Sequence, residues 1–199
     1  MSKRLFENSR PRHSIAIDKS AKQKKLQDTP KENKIFCKSC ESRIEKLETY
    51  FSKFFIDVNS LSNPKRDYTI GLLHDHEVVF CNDLHPTLFK LFIFSLVWRC
   101  SISNLGDFEN FKLDALIEEE LRRFLNSNLK PTHSELMQSP HEIQEIPYYH
   151  FCITKPKNKT LGIYTSFNFA PDSYLIFTVD YAIFFYTTEV PYVPLHEFQ

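Results

Sequence analysis

The sequence predicts an α+β fold, with amphipathic and buried helices in its first two thirds packed on a C-terminal antiparallel sheet of about three strands. Three observations lead there. Apolar residues recur at helical spacing between Glu41 and Phe55, and a nearly unbroken apolar run fills Leu88 to Val97. The last third then changes to aromatic and β-branched stretches separated by turn residues. Helices followed by strands, rather than alternating with them, is the order of an α+β domain.

The first 34 residues hold ten Lys or Arg against four Asp or Glu and are broken by Pro11 and Pro30. The whole chain has a formal net charge of zero, so the excess of six here is balanced by an acidic remainder. Residues 1–34 therefore read as a basic N-terminal arm, and residues 35–199 as a single α+β domain. Such an arm suits a phosphate backbone or an acidic protein surface, with Arg10, Arg12, Lys22, Lys24, Lys25 and Lys31 as the contacting groups. A solvated terminus with no partner has the same composition.

The spacing of Ile44, Leu47, Phe51, Phe54 and Phe55 predicts an amphipathic helix from Glu41 to Phe55. Asn59 to Asp67, punctuated by Asn63-Pro64, reads as a loop, and Glu77 to Phe80 as a short strand or part of a longer loop reaching His85. Pro86 fits the first turn of a helix, where its missing N–H costs nothing. That helix, from Thr87 to Ser101, is apolar nearly all round and should be buried, with Arg99 set against its C-terminal dipole. A further helix from Phe111 to Leu125 places Leu113, Leu116, Ile117, Leu121, Phe124 and Leu125 on one face. Beyond it, Pro131, Pro140 and Pro147 break the chain into a long connection. Strands are expected over Tyr148 to Thr154, Leu161 to Asn168 and Tyr174 to Thr188, with hairpin turns at Lys155-Pro-Lys-Asn-Lys and Ala170-Pro-Asp-Ser.

Composition sets further limits. A chain of 199 residues can bury a core without disulfides, and with 19 Phe and 9 Tyr that core should be aromatic. Only Gly71, Gly106 and Gly162 are present. The Gly-x-Gly-x-x-Gly and Gly-x4-Gly-Lys-Ser/Thr phosphate loops need more glycine than this, so nucleotide binding by those devices is excluded. Leu88 to Val97 is too short to span a bilayer and contains Lys90, so no membrane is expected. An odd count of five cysteines, with no apolar leader in Met1 to Lys34, suggests a cytoplasmic setting with free or metal-bound thiols.

The chemistry concentrates at Cys37, Cys40 and Glu41. Two cysteines three apart at the mouth of a helix can aim both sulfurs at one ion, while the helix N-terminus stabilises their thiolates. A structural zinc takes four ligands, and the set that would complete it is His74, His76, Cys81 and His85. Cys100 and Cys152 fall inside regular elements and read as small core residues. A thioredoxin-like redox pair is disfavoured because no βαβ pattern surrounds the motif. The plainest alternative is a metal-free knuckle that caps a helix. Trp98 and Arg99 read as structural, with Arg99 satisfying carbonyls at its helix end or pairing with a carboxylate such as Glu48.

The segment from Phe36 to Phe51, with Cys37, Cys40, Glu41, Glu48 and Tyr50, resembles the second knuckle of a group of bacterial HNH-endonuclease-like proteins. Leu91, Phe92, Ser95, Trp98 and Arg99 resemble a later helix of the same group, so the two blocks cover about a quarter of the chain. The resemblance implies a ββα-metal knuckle and, in active members, metal-dependent cutting of DNA with a histidine as general base; here that position falls to His13. The group's upstream Cys-x-x-Cys is missing, which makes this a degenerate form. Such proteins occur in mobile elements and antiviral defence loci. The resemblance therefore implies a non-catalytic subunit docked on a larger protein, or else an HNH-type nuclease using His13 with Cys37 and Cys40 on structural zinc.

Overall fold

The computed structural model describes residues 14–17, 23–26, 35–60, 67–73, 76–143, 145–155, 165–178 and 181–188. The fold is α+β, as the segregation of helical and strand patterns predicts, with helices ahead of a four-stranded antiparallel sheet. Two short strands, β1 (Ser14–Ile17) and β2 (Gln23–Leu26), pair antiparallel within the basic arm. The elements fall into two compact units. One is built from Phe36–Leu96 and Leu125–Gln144; the other takes in β1 and β2, Val97–Phe124 and the strands after Glu145.

In the first unit, α1 (Lys38–Ser60) extends beyond the helix expected from the apolar spacing at both ends. Ile44, Leu47, Phe51 and Phe54 are buried along one stripe. Phe51 stacks on Phe92 at 4.7 Å between ring centroids and meets Phe89 at 5.5 Å. Both partners belong to α2 (Pro86–Ile102), in which every residue from Leu91 to Val97 is buried. A helix without a polar face must be enclosed on all sides. His85 caps α2, its carbonyl accepting the Phe89 N–H at 3.0 Å. Among the described residues no helix is long and apolar enough to cross a membrane.

A hairpin of β3 (Tyr68–Leu73) and β4 (His76–Cys81) precedes α2. Only part of β4 was legible in the sequence. A short helix α4 (His133–Gln138), preceded by α3 (Ala115–Asn128), occupies what the prolines suggested was an open connection. Thr132 caps α4 reciprocally with Glu135: Thr132 Oγ1 accepts the Glu135 N–H at 3.2 Å, and Glu135 Oε2 accepts the Thr132 N–H at 3.1 Å.

The second unit carries the sheet. Its strands are β5 (His150–Thr154), β6 (Thr165–Ala170), β7 (Ser173–Phe177) and β8 (Ala182–Tyr186), in spatial order β5-β8-β7-β6. Tyr174 to Thr188 is therefore two strands, not one. The chain between Thr154 and Thr165 joins opposite edges of the sheet, so it is not the hairpin expected from Lys155-Pro-Lys-Asn-Lys, most of which lies outside the described residues. The result is a Greek-key order. The Pro171-Asp172 turn is a true hairpin, with Asp172 at φ 58°. Thr187 N–H closes on the Asp172 carbonyl at 3.0 Å.

Both faces of the sheet are aromatic. On one, Leu175, Ala182, Phe184 and Tyr186 are buried with Cys152, Phe167, Phe169 and Phe177 packed against them. On the other, Tyr174 and Phe185 meet each other, Phe111 and Tyr149. Tyr149 also donates its hydroxyl to Glu120 of α3 in a short hydrogen bond. Burial and that bond push the phenol well above its ordinary range.

Candidate functional site

The site begins with a cap. Cys37 is the residue just before α1, and its carbonyl accepts the Glu41 N–H at 3.0 Å. Its Sγ accepts the Cys40 N–H at 3.4 Å, the bond that a serine or aspartate oxygen makes at an N-cap. The two sulfurs share a hydrogen bond at 3.2 Å. Glu41 stands exposed in the first turn, where a negative charge suits the helix dipole.

These contacts act on Cys37 directly. The Cys40 N–H first, then the Cys40 side chain, and to a lesser degree the Ser39 N–H and the charge of Arg43, lower its pKa. The sulfur is also exposed. The other thiols stand in contrast. Burial pushes Cys100 up to about 12 and raises Cys152 as well. Their placement agrees with the core role that their positions in regular elements suggested.

Arg43 supplies the second layer of the site. Its Nη2 lies 3.5 Å from Cys40 Sγ and donates to Asn126 Oδ1 at 3.3 Å. Its Nη1 reaches the carbonyls of Asn126 at 3.3 Å and Leu129 at 3.4 Å. One guanidinium thus touches the second sulfur of the knuckle and caps the C-terminal end of α3. Sequence spacing carries no hint of this, since the partners are more than eighty positions away.

Among the described residues, no three His, Cys, Asp or Glu side chains come together in a way that could hold a metal ion. Cys37 and Cys40 would supply two of zinc's four positions, and Arg43 brings a positive charge to one of those sulfurs. His74 lies outside the described residues, and His76 is placed only by its backbone, opposite Leu73 at the start of β4. Cys81 ends β4, half-buried. His85 sits edge-on to His141 at 5.7 Å between ring centroids, and its buried Nδ1 makes no hydrogen bond.

Three of the remaining candidates lie on the two long helices. Glu48 is buried on α1, while Trp98 and Arg99 are half-buried near the C-terminal end of α2. His13, Arg10, Arg12, Lys22 and Lys31 lie outside the described residues. Lys24 and Lys25 are in β2, opposite Ala16 and Ile15.

One surface feature has no counterpart among the sequence-based expectations. On the β3–β4 hairpin, Ile70 is 54%, Leu72 78% and Phe80 53% exposed. Ile70 and Leu72 alternate onto one face, and Phe80 occupies the other, its ring edge lying against Gly71, where an added Cβ would meet it at 3.3 Å. The signal for it is Tyr-Thr-Ile-Gly-Leu-Leu, six residues directly after a turn segment.

Comparison with known protein families, with curated proteins and with solved structures gives no match to this chain.

Proposed function

We propose that this chain is a non-catalytic interaction subunit that docks on a larger protein, built on a degenerate HNH-like Cys-x-x-Cys knuckle. The observation that supports it most is the β3–β4 ribbon. A two-stranded hairpin is marginal in water on its own, and large apolar side chains exposed on it favour a covering partner. Ile70, Leu72 and Phe80 are the anchors in this reading. The basic arm, with Arg10, Arg12, Lys22, Lys24, Lys25 and Lys31, adds electrostatic attraction to an acidic partner surface or to nucleic acid. Membership of a bacterial antiviral-defence or mobile-element complex rests on the HNH-like resemblance alone.

The test pairs assembly with activity. Wild type and an Ile70→Ser/Leu72→Ser/Phe80→Ser variant are purified from the native host and sized with cross-linking mass spectrometry. One larger protein should accompany the wild type in fixed stoichiometry and be lost from a variant that still unfolds cooperatively. A wild type that elutes free would end the docking reading. Plasmid nicking in Mg²⁺ or Mn²⁺ that disappears in His13→Ala would replace it with an HNH-type nuclease.

A further inference from the structure

We propose that Cys37 and Cys40 form a reversible dithiol–disulfide pair that exchanges with low-molecular-weight disulfides of the glutathione class. The spacing of the two sulfurs and their unequal exposure carry it. The Sγ atoms lie 3.2 Å apart, and a disulfide needs about 2.0 Å, a closure within reach of side-chain rotation at two positions three apart. A surrounding βαβ fold is not required for that; a helix start with both sulfurs on one side is.

The two sulfurs have different surroundings, which assigns their roles. Cys37 is exposed at the N-cap and receives the Cys40 N–H, so its sulfur is both accessible and supported as an anion. Cys40 is half-buried and lies beside the Arg43 guanidinium. Cys37 is therefore the attacking sulfur and Cys40 the resolving one. No other described cysteine is joined to either.

The exchange balances without any further reagent. The Cys37 thiolate attacks one sulfur of the small disulfide, forming a mixed disulfide and expelling one thiolate. Cys40 gives up its proton to solvent, and its thiolate attacks Cys37 Sγ. The mixed bond breaks and the second small thiolate leaves. Two protein thiols are oxidised, one small disulfide is reduced to two thiols, and the protons released by the protein are taken up by the leaving thiolates. Closure also alters the sulfur that Arg43 touches, so the redox state of the knuckle is felt at the end of α3.

The experiment uses the full chain, with EDTA present, equilibrated in buffers of varied glutathione to glutathione-disulfide ratio, then acid-quenched, alkylated and mapped by mass spectrometry. A Cys37–Cys40 disulfide should appear and disappear reversibly with that ratio. Cys40→Ser should accumulate a glutathione adduct at Cys37, on the order of tenfold faster than Cys37→Ser accumulates one at Cys40. Cys37→Ser retains an N-cap oxygen, and circular dichroism of both variants checks that the fold is kept. A pair that stays reduced at every ratio overturns the proposal, as does a disulfide mapping elsewhere or equal adduct rates in the two variants.

Discussion

Arg43 of α1 donates from Nη1 to the carbonyl of Asn126, at 3.3 Å, in the last turn of α3. The same nitrogen lies 3.4 Å from the Leu129 carbonyl. Helix C-termini leave carbonyls without partners inside the helix, and a cation there answers both the hydrogen-bonding need and the dipole. Arg43→Ala should therefore destabilise the protein by about 1–3 kcal/mol. Arg43→Lys, which keeps the charge and loses the planar fork, should fall in between. Urea unfolding of the three proteins checks the order; an alanine variant as stable as wild type would remove Arg43 from the packing argument.

The stacked pair Phe51 and Phe92 predicts a large core effect. Both rings are fully buried, so Phe51→Ala should cost about 3–5 kcal/mol. Leu116 is 82% exposed, and Leu116→Ala should stay within about 0.5 kcal/mol of wild type. Equal losses from the two substitutions would contradict the packing described.

Ser101 ties the end of α2 to the start of α3. Its buried hydroxyl donates to Glu118 Oε2 at 2.5 Å and accepts the Leu113 N–H at 3.0 Å. Lys112 adds bonds from Nζ to the carbonyls of Ser101 and Ser103 at 2.6 and 2.8 Å. Ser101→Ala strands a buried backbone N–H and should cost about 1–3 kcal/mol. Hydrogen exchange offers the sharper measurement, because the Leu113 amide should lose protection more than amides elsewhere in the unit.

Legibility tracks how local each signal is. α2 could be read because Leu91 to Val97 has no polar side to misplace except Ser95, which bonds back to the Phe92 carbonyl at 2.7 Å. Leu116 shows the opposite case. It fits the apolar period, but α3 begins only at Ala115: Asp114 is the cap, its Oδ1 accepting the Leu116 N–H at 2.8 Å, and Leu116 faces outward. Thr132 and Glu135 stand at capping-box spacing, a signal masked by the prolines around them. The break between β7 and β8 carries neither Gly nor Pro; Thr178 and Tyr181 close it instead, through the Thr178 N–H to the Tyr181 carbonyl at 2.7 Å. At the candidate site, the Cys pair and its helix were legible. The reach of Arg43 to Asn126 was not, because pairing across the chain leaves no periodic trace.

A pH effect follows from Glu119. Hydrogen bonds from Arg122 and then Arg123 lower its carboxyl from 4.5 to about 2. A depressed carboxylate stabilises the fold fully above its unfolded value and loses that contribution as pH falls through the folded one. The Glu119 contribution should thus fade between pH 4.5 and about 2, and Glu119→Gln should flatten stability across that window. NMR titration of the carboxyl carbon gives the direct check, and added salt should move the midpoint back upward because the trio is exposed.

Native alkylation should separate the thiols. Cys37 should react first, while Cys100, 1% exposed with its thiol pushed up to about 12, should react only after unfolding. Labelling of Cys100 at the rate of Cys37 in the folded protein would count against the burial of α2.

The sheet order has a consequence in time. Among the described strands, β5 pairs only with β8, the last strand of the sheet to be made. During synthesis β5 must wait while β6, β7 and β8 emerge, roughly 2–6 s at ordinary translation rates. The local hairpins of β6 with β7 and β7 with β8 can close in that interval, but β5 cannot. The nascent sheet is therefore most exposed to wrong pairing at β5, the first of its strands to be made.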